Sequence, residues 1–421
     1  MSTAAAKAVD YRANVPVTPQ LDPADPARFA RDDMWDVFAQ LRAEDPVHFT
    51  PQSQFGPYWS VTRWKDIVTV DTDHATFSSE PGIMLIPPLD PSETPQLPGL
   101  AMFIAMDPPK HDVQRKSVSP AVSPTNLQVL GPLIRERAAQ ILDDLPIGVE
   151  FDWVDRVSME LTAMTLATLF GMPQEDRRRL TFWSDVVTAI PGPGRIVETR
   201  EEKMAVFREF HGYFTELWNE RVNAEPTGDL ISMLAHDPAT RDMPPMEFFG
   251  NIILLTVGGN DTTRNTMTGS VYALSRNPGE YAKLRADHGL LPSMVSETIR
   301  WQTPLAHMKR RATRDVELGG KLIKEGDTVV MWYVSGNRDE TMVERADEYV
   351  IDRARPRQHL SFGFGIHRCV GNRLAELQLQ IVWEEILKRF PDIKVVGEPV
   401  RVYSSFVKGY ESMKVLIPSR L

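Results

Sequence analysis

Residues 361–371 read SFGFGIHRCVG, and Cys369 within them is the only cysteine in a chain of 421 residues. Gly363, Gly365, Gly371 and His367 surround it. One cysteine cannot form an internal disulfide, so oxidative cross-links play no part in this fold and a cytoplasmic setting is expected. Its purpose has to be read from its neighbours.

Four readings of Cys369 compete. A buried, inert cysteine is the ordinary case, yet three glycines make a poor core. Zinc needs three or four ligands, and His359, His367 and Cys369 show no usual spacing pair. A cysteine nucleophile would call on His367 as its base, but nearness along the chain is weak support for that. Axial thiolate ligation of a haem iron accounts for every neighbour. Glycines let the backbone approach a flat macrocycle. The helix predicted just after Cys369 turns its N-terminal N–H groups toward the sulfur, and Phe362 shields it from water. No C-x-x-C-H attachment motif is present, so the haem would be haem b, held without covalent links.

The composition agrees with an enzyme of this kind. The chain is 42% hydrophobic and 25% charged, and its net charge of −10 argues against a nucleic-acid or anionic-membrane binder. The N-terminal stretch MSTAAAKAVDYRANVP lacks the apolar core of a signal peptide. NIILLTV (251–257) is far too short to cross a bilayer, so no transmembrane anchor is expected.

Residues 1–30 read as a loosely held arm, and 31–421 as a single domain. MWDVFAQLRAE predicts a helix and PYWSVT (57–62) a strand. The proline-broken but apolar stretch 81–109 reads as a lid, with Ile83, Met84, Leu85, Leu97 and Phe103 among its residues. From about 108 to 302 helices dominate. Asp107 is the expected N-cap of the first of them, AIPGPGR (189–195) breaks two others, and a long helix runs from about Pro245 to Asn277. DTVVMWYV (327–334) predicts β structure, and GNRLAELQLQIVWEEILKRF a final amphipathic helix. The fold class is mainly α with small β-sheets.

The run Phe362-Gly363-x-Gly365-x-His367-Arg368-Cys369-x-Gly371 resembles the haem-binding loop of the cytochrome P450 family. The resemblance implies the P450 fold, with haem between the long central helix and the cysteine loop. Two further motifs lie where that family has them. Gly258-Gly259-Asn260-Asp261-Thr262-Thr263 falls on the central helix, where adjacent glycines cost about 1 kcal/mol each. A local opening of the helix at Gly258 would admit dioxygen, leave Thr262 free to hydrogen-bond beside it, and let Asp261 relay protons. Glu297-Thr298-Ile299-Arg300 places a carboxylate and a guanidinium on one helix face. In the family this pair joins a further arginine, here Arg353, to brace the chain before the cysteine loop. The resemblance also nominates His111, Arg115, Arg310 and His367 as partners of the haem propionates, with Lys309 and Arg311 as alternatives to Arg310.

A thiolate opposite dioxygen favours O–O cleavage, so O₂-dependent monooxygenation of a C–H bond is expected. Electrons from NAD(P)H would arrive through a separate ferredoxin and ferredoxin reductase, docking near Arg368, Arg373 and Lys116. The substrate is expected to be apolar, from the lid together with Ile253, Leu254 and Val257. FIAMDPPKHD (103–112), GGNDTTRN (258–265), HLSFGFGIHRCVGNRLAELQ (359–378) and VYSSFVKGYES (402–412) resemble the soluble bacterial alkane terminal hydroxylases of the family. That implies ω-hydroxylation of medium-chain alkanes or fatty acids. Other apolar substrates (a terpenoid or steroid), a peroxygenase and a non-catalytic haem-binding or gas-sensing protein are the rival readings.

Overall fold

The computed structural model describes residues 21–80, 82–88 and 100–421. Residues 1–20 of the expected arm, and Leu97 with most of the middle of the lid, lie outside them. The part of the arm that is described is not loose. The Asp25 side chain caps a short helix, Pro26–Arg31. Phe29 is buried there against Phe38 and Trp332, an aromatic anchor that a proline- and alanine-rich composition does not reveal.

The organising element is a single 32-residue helix, Pro245–Arg276, called here the central helix. Pro245 opens it and Asn277 closes it, as the sequence pattern predicts. Helices Glu160–Phe170, Arg177–Thr188, Leu291–Gln302 and Asn372–Arg389 pack against it. Together they enclose the largest core, in which Trp153, Trp183 and Trp383 are fully buried. The helix is unbroken through Gly258 and Gly259, so the expected opening of its hydrogen-bond ladder is absent. Gly259 has another cause: a Cβ there would lie 2.6 Å from Leu166 of the neighbouring helix. Gly258 differs, since a Cβ there would meet nothing within 4 Å.

Five strands form the main sheet: β1 (Val47–Thr50), β2 (Tyr58–Val61), β3 (Phe77–Ser78), β4 (Met308–Ala312) and β5 (Thr328–Met331). Their spatial order is β1-β2-β5-β4-β3. β2 pairs parallel to β5 with Trp59 opposite Val329, and the other pairs are antiparallel. This parallel pair brings two distant apolar segments together and buries both, which fits the rule that parallel strands are covered on both faces. The chain leaves β5 through Trp332 into a short helix, Tyr333–Gly336, so the predicted β segment ends earlier than its apolar run.

The fold is locked beside the cysteine loop by Glu297, Arg300 and Arg353. Glu297 takes two hydrogen bonds from Arg300, at 2.7 and 2.8 Å, and one from Arg353 at 2.8 Å. Arg300 also donates to the carbonyls of Asn337, Ala346 and Glu348. Asn337 in turn accepts from the Leu360 N–H and donates to Ser361. The brace therefore reaches the first residues of SFGFGIHRCVG through one asparagine. Because Glu297 and Arg300 are almost fully buried, removing one partner would cost about 3–5 kcal/mol.

Candidate haem site

Cys369 precedes the helix Asn372–Arg389, whose N-cap is Gly371. Its backbone N–H bonds to the Phe362 carbonyl at 2.8 Å, closing the loop on itself. Phe362 packs against the main core and its ring lies 5.2 Å from that of His359. A cavity of about 770 Å³ opens at the cysteine, lined by Phe362, Gly363, Val370, Arg115 and His359 among others. Cys369 faces this cavity from well inside the molecule, and burial pushes its thiol up, against the Gly371 N–H, Arg115 and Arg368, which pull it down. The helix start therefore does not by itself make a thiolate. A bound metal ion would, since coordination deprotonates a thiol outright.

Two glycines of the loop serve a purpose that the sequence does not reveal. Gly363 and Gly365 adopt φ of +66° and +64°, and they lie against the helix Trp64–Thr72. A Cβ on Gly365 would stand 2.6 Å from the Asp71 carbonyl oxygen, and one on Gly363 3.2 Å from the Asp71 carboxylate. They allow the turn and its close approach to Asp71. Only Gly371 has open space beside it.

The four residues nominated as propionate partners do come together, although Arg310 acts first through an acid. The helix Lys110–Val118 carries His111 and Arg115 one turn apart. Asp107 does not cap it, because its carboxylate is taken by Ser78 and the Ser79 N–H. The His111 and His367 rings meet edge-on at 4.4 Å. Arg115 donates to the Arg368 carbonyl. Arg310 on β4 points to the same cluster, but its guanidinium binds Asp71 at 2.8 Å. Asp71 also accepts from the Tyr333 hydroxyl at 2.9 Å and from the Phe364 N–H of the loop at 2.7 Å. Lys309, on the alternate position of the strand, and the exposed Arg311 do not share this arrangement.

Two observations say what this cluster fits. Both ring nitrogens of His367 and Nε2 of His111 are buried without a hydrogen-bond partner. Burial, then Arg310, His111, Arg115 and His74, hold the His367 pKa down to about 2. Basic groups so crowded, with donors left over, match a ligand carrying carboxylates, as haem does on its propionates. The same orphaned nitrogens remove the nucleophile reading, because His367 makes no bond to Cys369. Among the described residues no group of three or more His, Cys, Asp or Glu is placed to hold a metal ion, so the zinc reading has no support.

On the central helix, Gly258 is exposed and Thr262 half-buried in the middle of an otherwise buried stretch. The Thr262 hydroxyl donates to the Gly258 carbonyl at 2.7 Å, so it is held rather than free. Asp261 points the other way and is fully buried. One of its oxygens accepts from Ser184 and from Asn260, each at 2.9 Å, and lies 3.3 Å from Arg264. Arg264 bonds more closely to Asp185, at 2.7 Å. The second oxygen of Asp261 has no partner. Burial raises the Asp261 pKa to about 6, Arg264 opposing and Asp185 adding to the rise.

Sequence reasoning missed three groups here. Asp71 and Tyr333 organise Arg310 and the loop, and Asn251 fixes the lid. The Asn251 side chain accepts from the Phe103 N–H at 2.9 Å and donates to Gln114 at 2.9 Å. Gln114 and Lys110 both bond to Glu247 one turn away on the central helix. None of these residues sits in a recognisable local pattern.

The cytochrome P450 family model matches residues 103–397. The structure of CYP153D17 from Sphingomonas sp. PAMC 26605 superposes with a TM-score of 0.88 at 47% identity, covering 95% of this chain and 99% of that one. Linalool 8-monooxygenase of Pseudomonas putida is 35% identical over 91% of this chain and 95% of its own length. The methyl-branched lipid omega-hydroxylase of Mycobacterium bovis is 31% identical over 91% of each. With the cysteine loop, the cluster of His111, Arg115, Arg310 and His367 and the Glu297 brace all in one fold, the chain belongs to the cytochrome P450 family of haem-thiolate monooxygenases.

Proposed function

We propose that this P450 hydroxylates the terminal carbon of medium-chain alkanes or fatty acids, with electrons from NAD(P)H delivered by a separate ferredoxin and ferredoxin reductase. The observation that carries the reading is the apolar wall formed by three separate segments. Ile83 from the lid and Phe406 and Val407 from the C-terminal loop are buried together, with Met84, Leu305 and Met308 packed on them. His307 stitches this wall. Its Nδ1 bonds to the Ser405 carbonyl at 2.9 Å and its Nε2 accepts from the Leu85 N–H at 3.2 Å. Burial takes the His307 pKa down to about 3, so the imidazole stays neutral and both bonds persist at physiological pH.

Haem held by Cys369 would supply the activation of dioxygen that C–H insertion requires. The protein's residues supply position, dryness and protons. A primary C–H bond is stronger than its neighbours, so terminal attack demands a channel that presents only the chain end. Branched and aromatic side chains held by His307 suit that task. Thr262 holds a hydroxyl on the half-buried side of the central helix, and Asp261 keeps a carboxyl with a pKa raised to about 6 on its buried side.

Product analysis on octane and dodecanoic acid tests the reading. The expected products are 1-octanol and the ω-hydroxy acid; mainly subterminal or mid-chain alcohols would overturn it. The similarity to linalool 8-monooxygenase favours a terpenoid as the second reading, and linalool belongs in the same assay.

A further inference from the structure

Three loops are joined to the apolar wall through Leu85 and His307. Ile190, from the proline–glycine loop after helix Arg177–Thr188, packs in the same cluster as Leu85 and Ala306. Leu85 is tied through His307 to Ser405, two residues beyond Tyr403. Arg195 closes the circuit. Its guanidinium lies 4.0 Å over the Tyr403 ring, and Nη1 donates to the Ile190 carbonyl at 2.9 Å. Gly192 leaves room for this fold-back, since a Cβ there would stand 3.0 Å from Cζ of Arg195.

Arg195 is set apart from the cations around it. Arg31 pairs with Asp33 and Arg401 with Asp32, while Lys203 spends its N–H groups on the Val187 and Ala189 carbonyls. The nearby Glu198 accepts from the Gly194 N–H instead. Arg195 uses one nitrogen on carbonyls of its own loop and, unlike Arg31 and Arg401, meets no carboxylate among the described residues. Stacking on Tyr403 fixes the plane of the guanidinium, and a fixed plane favours two-point binding of a carboxylate.

We propose that Arg195, seated on Tyr403, binds the carboxylate of a fatty-acid substrate whose apolar chain runs inward along the His307-stitched wall. This rests on the chain-substrate reading above. Arg195 would then set the preference between acids and uncharged chains without touching the oxidised carbon.

Spin-state titrations of the haem-loaded enzyme with sodium dodecanoate and with methyl dodecanoate test this, since the two share one chain and differ in charge. For Arg195→Gln the dissociation constant of dodecanoate should rise about tenfold, that of the ester staying within about twofold. Rising salt should weaken dodecanoate binding to the wild type and not to the variant. Arg195→Lys, which keeps the charge but not the two-point fork, should recover only part of the loss. An equal loss for acid and ester would make Arg195 a loop latch only, and no loss for either, or no dodecanoate binding by the wild type, would also overturn the proposal. Arg195-dependent binding with oxidation inside the chain would sustain it while overturning terminal hydroxylation. Terminal oxidation with binding indifferent to Arg195 would do the reverse.

Discussion

Single side chains explain why this site was partly readable. Cys369 and His367 lie in a short pattern whose chemistry is local, whereas His111 and Arg115 were nominated by the family resemblance. Thr262 was legible in the same way, and its replacement is informative. Thr262→Ala should keep haem and substrate binding but lose product per NAD(P)H consumed, with the missing electrons recovered as peroxide. Thr262→Ser, which can still reach the Gly258 carbonyl, should restore most of the coupling; unchanged coupling in the alanine variant would remove the hydroxyl from the proton path. Asp261 was legible as an acid but not in its surroundings, because Ser184 and Asp185 come from another helix. Its folded pKa lies above the unfolded value, so the native state binds the extra proton between about pH 4 and about pH 6. Its contribution to stability is therefore present below that window and lost as pH rises through it. Denaturant titrations should show Asp261→Asn gaining on the wild type as the pH moves from 4.5 to 7. A gap that is constant with pH would mean that Asp261 is not held up by burial.

At the scale of elements, the three helices given bounds from sequence, near Trp35–Glu44, Pro245–Arg276 and Asn372–Arg389, were placed nearly to the residue because proline, glycine and apolar periodicity are local signals. The sheet was not, since β2 and β5 pair across more than half of the chain. What Gly363 and Gly365 pack against was hidden for the same reason. Whether a glycine makes room for a ligand or for a neighbouring element depends on what lies opposite. The central helix offers a matched comparison. At Gly250 a Cβ would stand 1.9 Å from the Ala101 carbonyl oxygen, where the lid is seated by Asn251. Gly250→Ala must push backbone away and should weaken substrate binding in spin-state titrations, along with lowering the melting temperature. Gly258→Ala meets nothing, and should gain roughly 0.5–1 kcal/mol of helix propensity. It should change the size preference for substrate without lowering stability. Similar losses of stability in both variants would mean that the lid does not depend on this contact.

The whole molecule carries a net charge of −10, yet the cavity at the cysteine is lined by Arg115, Arg357, Arg368 and Arg373 against a single acid, Glu376. Arg368 and Arg373 were nominated from sequence because they flank Cys369. Arg357 was not, since only the folded loop brings it to their side. Lys116 is exposed on the helix of Arg115 but does not line this concavity. A basic patch on an acidic protein focuses the approach of an acidic carrier, and the effect fades as salt shortens the Debye length to about 8 Å near 0.15 M. Electron delivery from a ferredoxin should therefore slow with ionic strength. Arg357 and Arg373 are the informative pair, because Arg368 also pulls on the Cys369 thiol. The double variant Arg357→Glu, Arg373→Glu should keep the reduced carbon monoxide spectrum of a thiolate haem. Its stopped-flow reduction by ferredoxin should be at least tenfold slower at low salt and nearly independent of added salt. Reduction with wild-type rate and salt slope would move the docking face away from the cysteine loop, leaving the four arginines to the haem site alone.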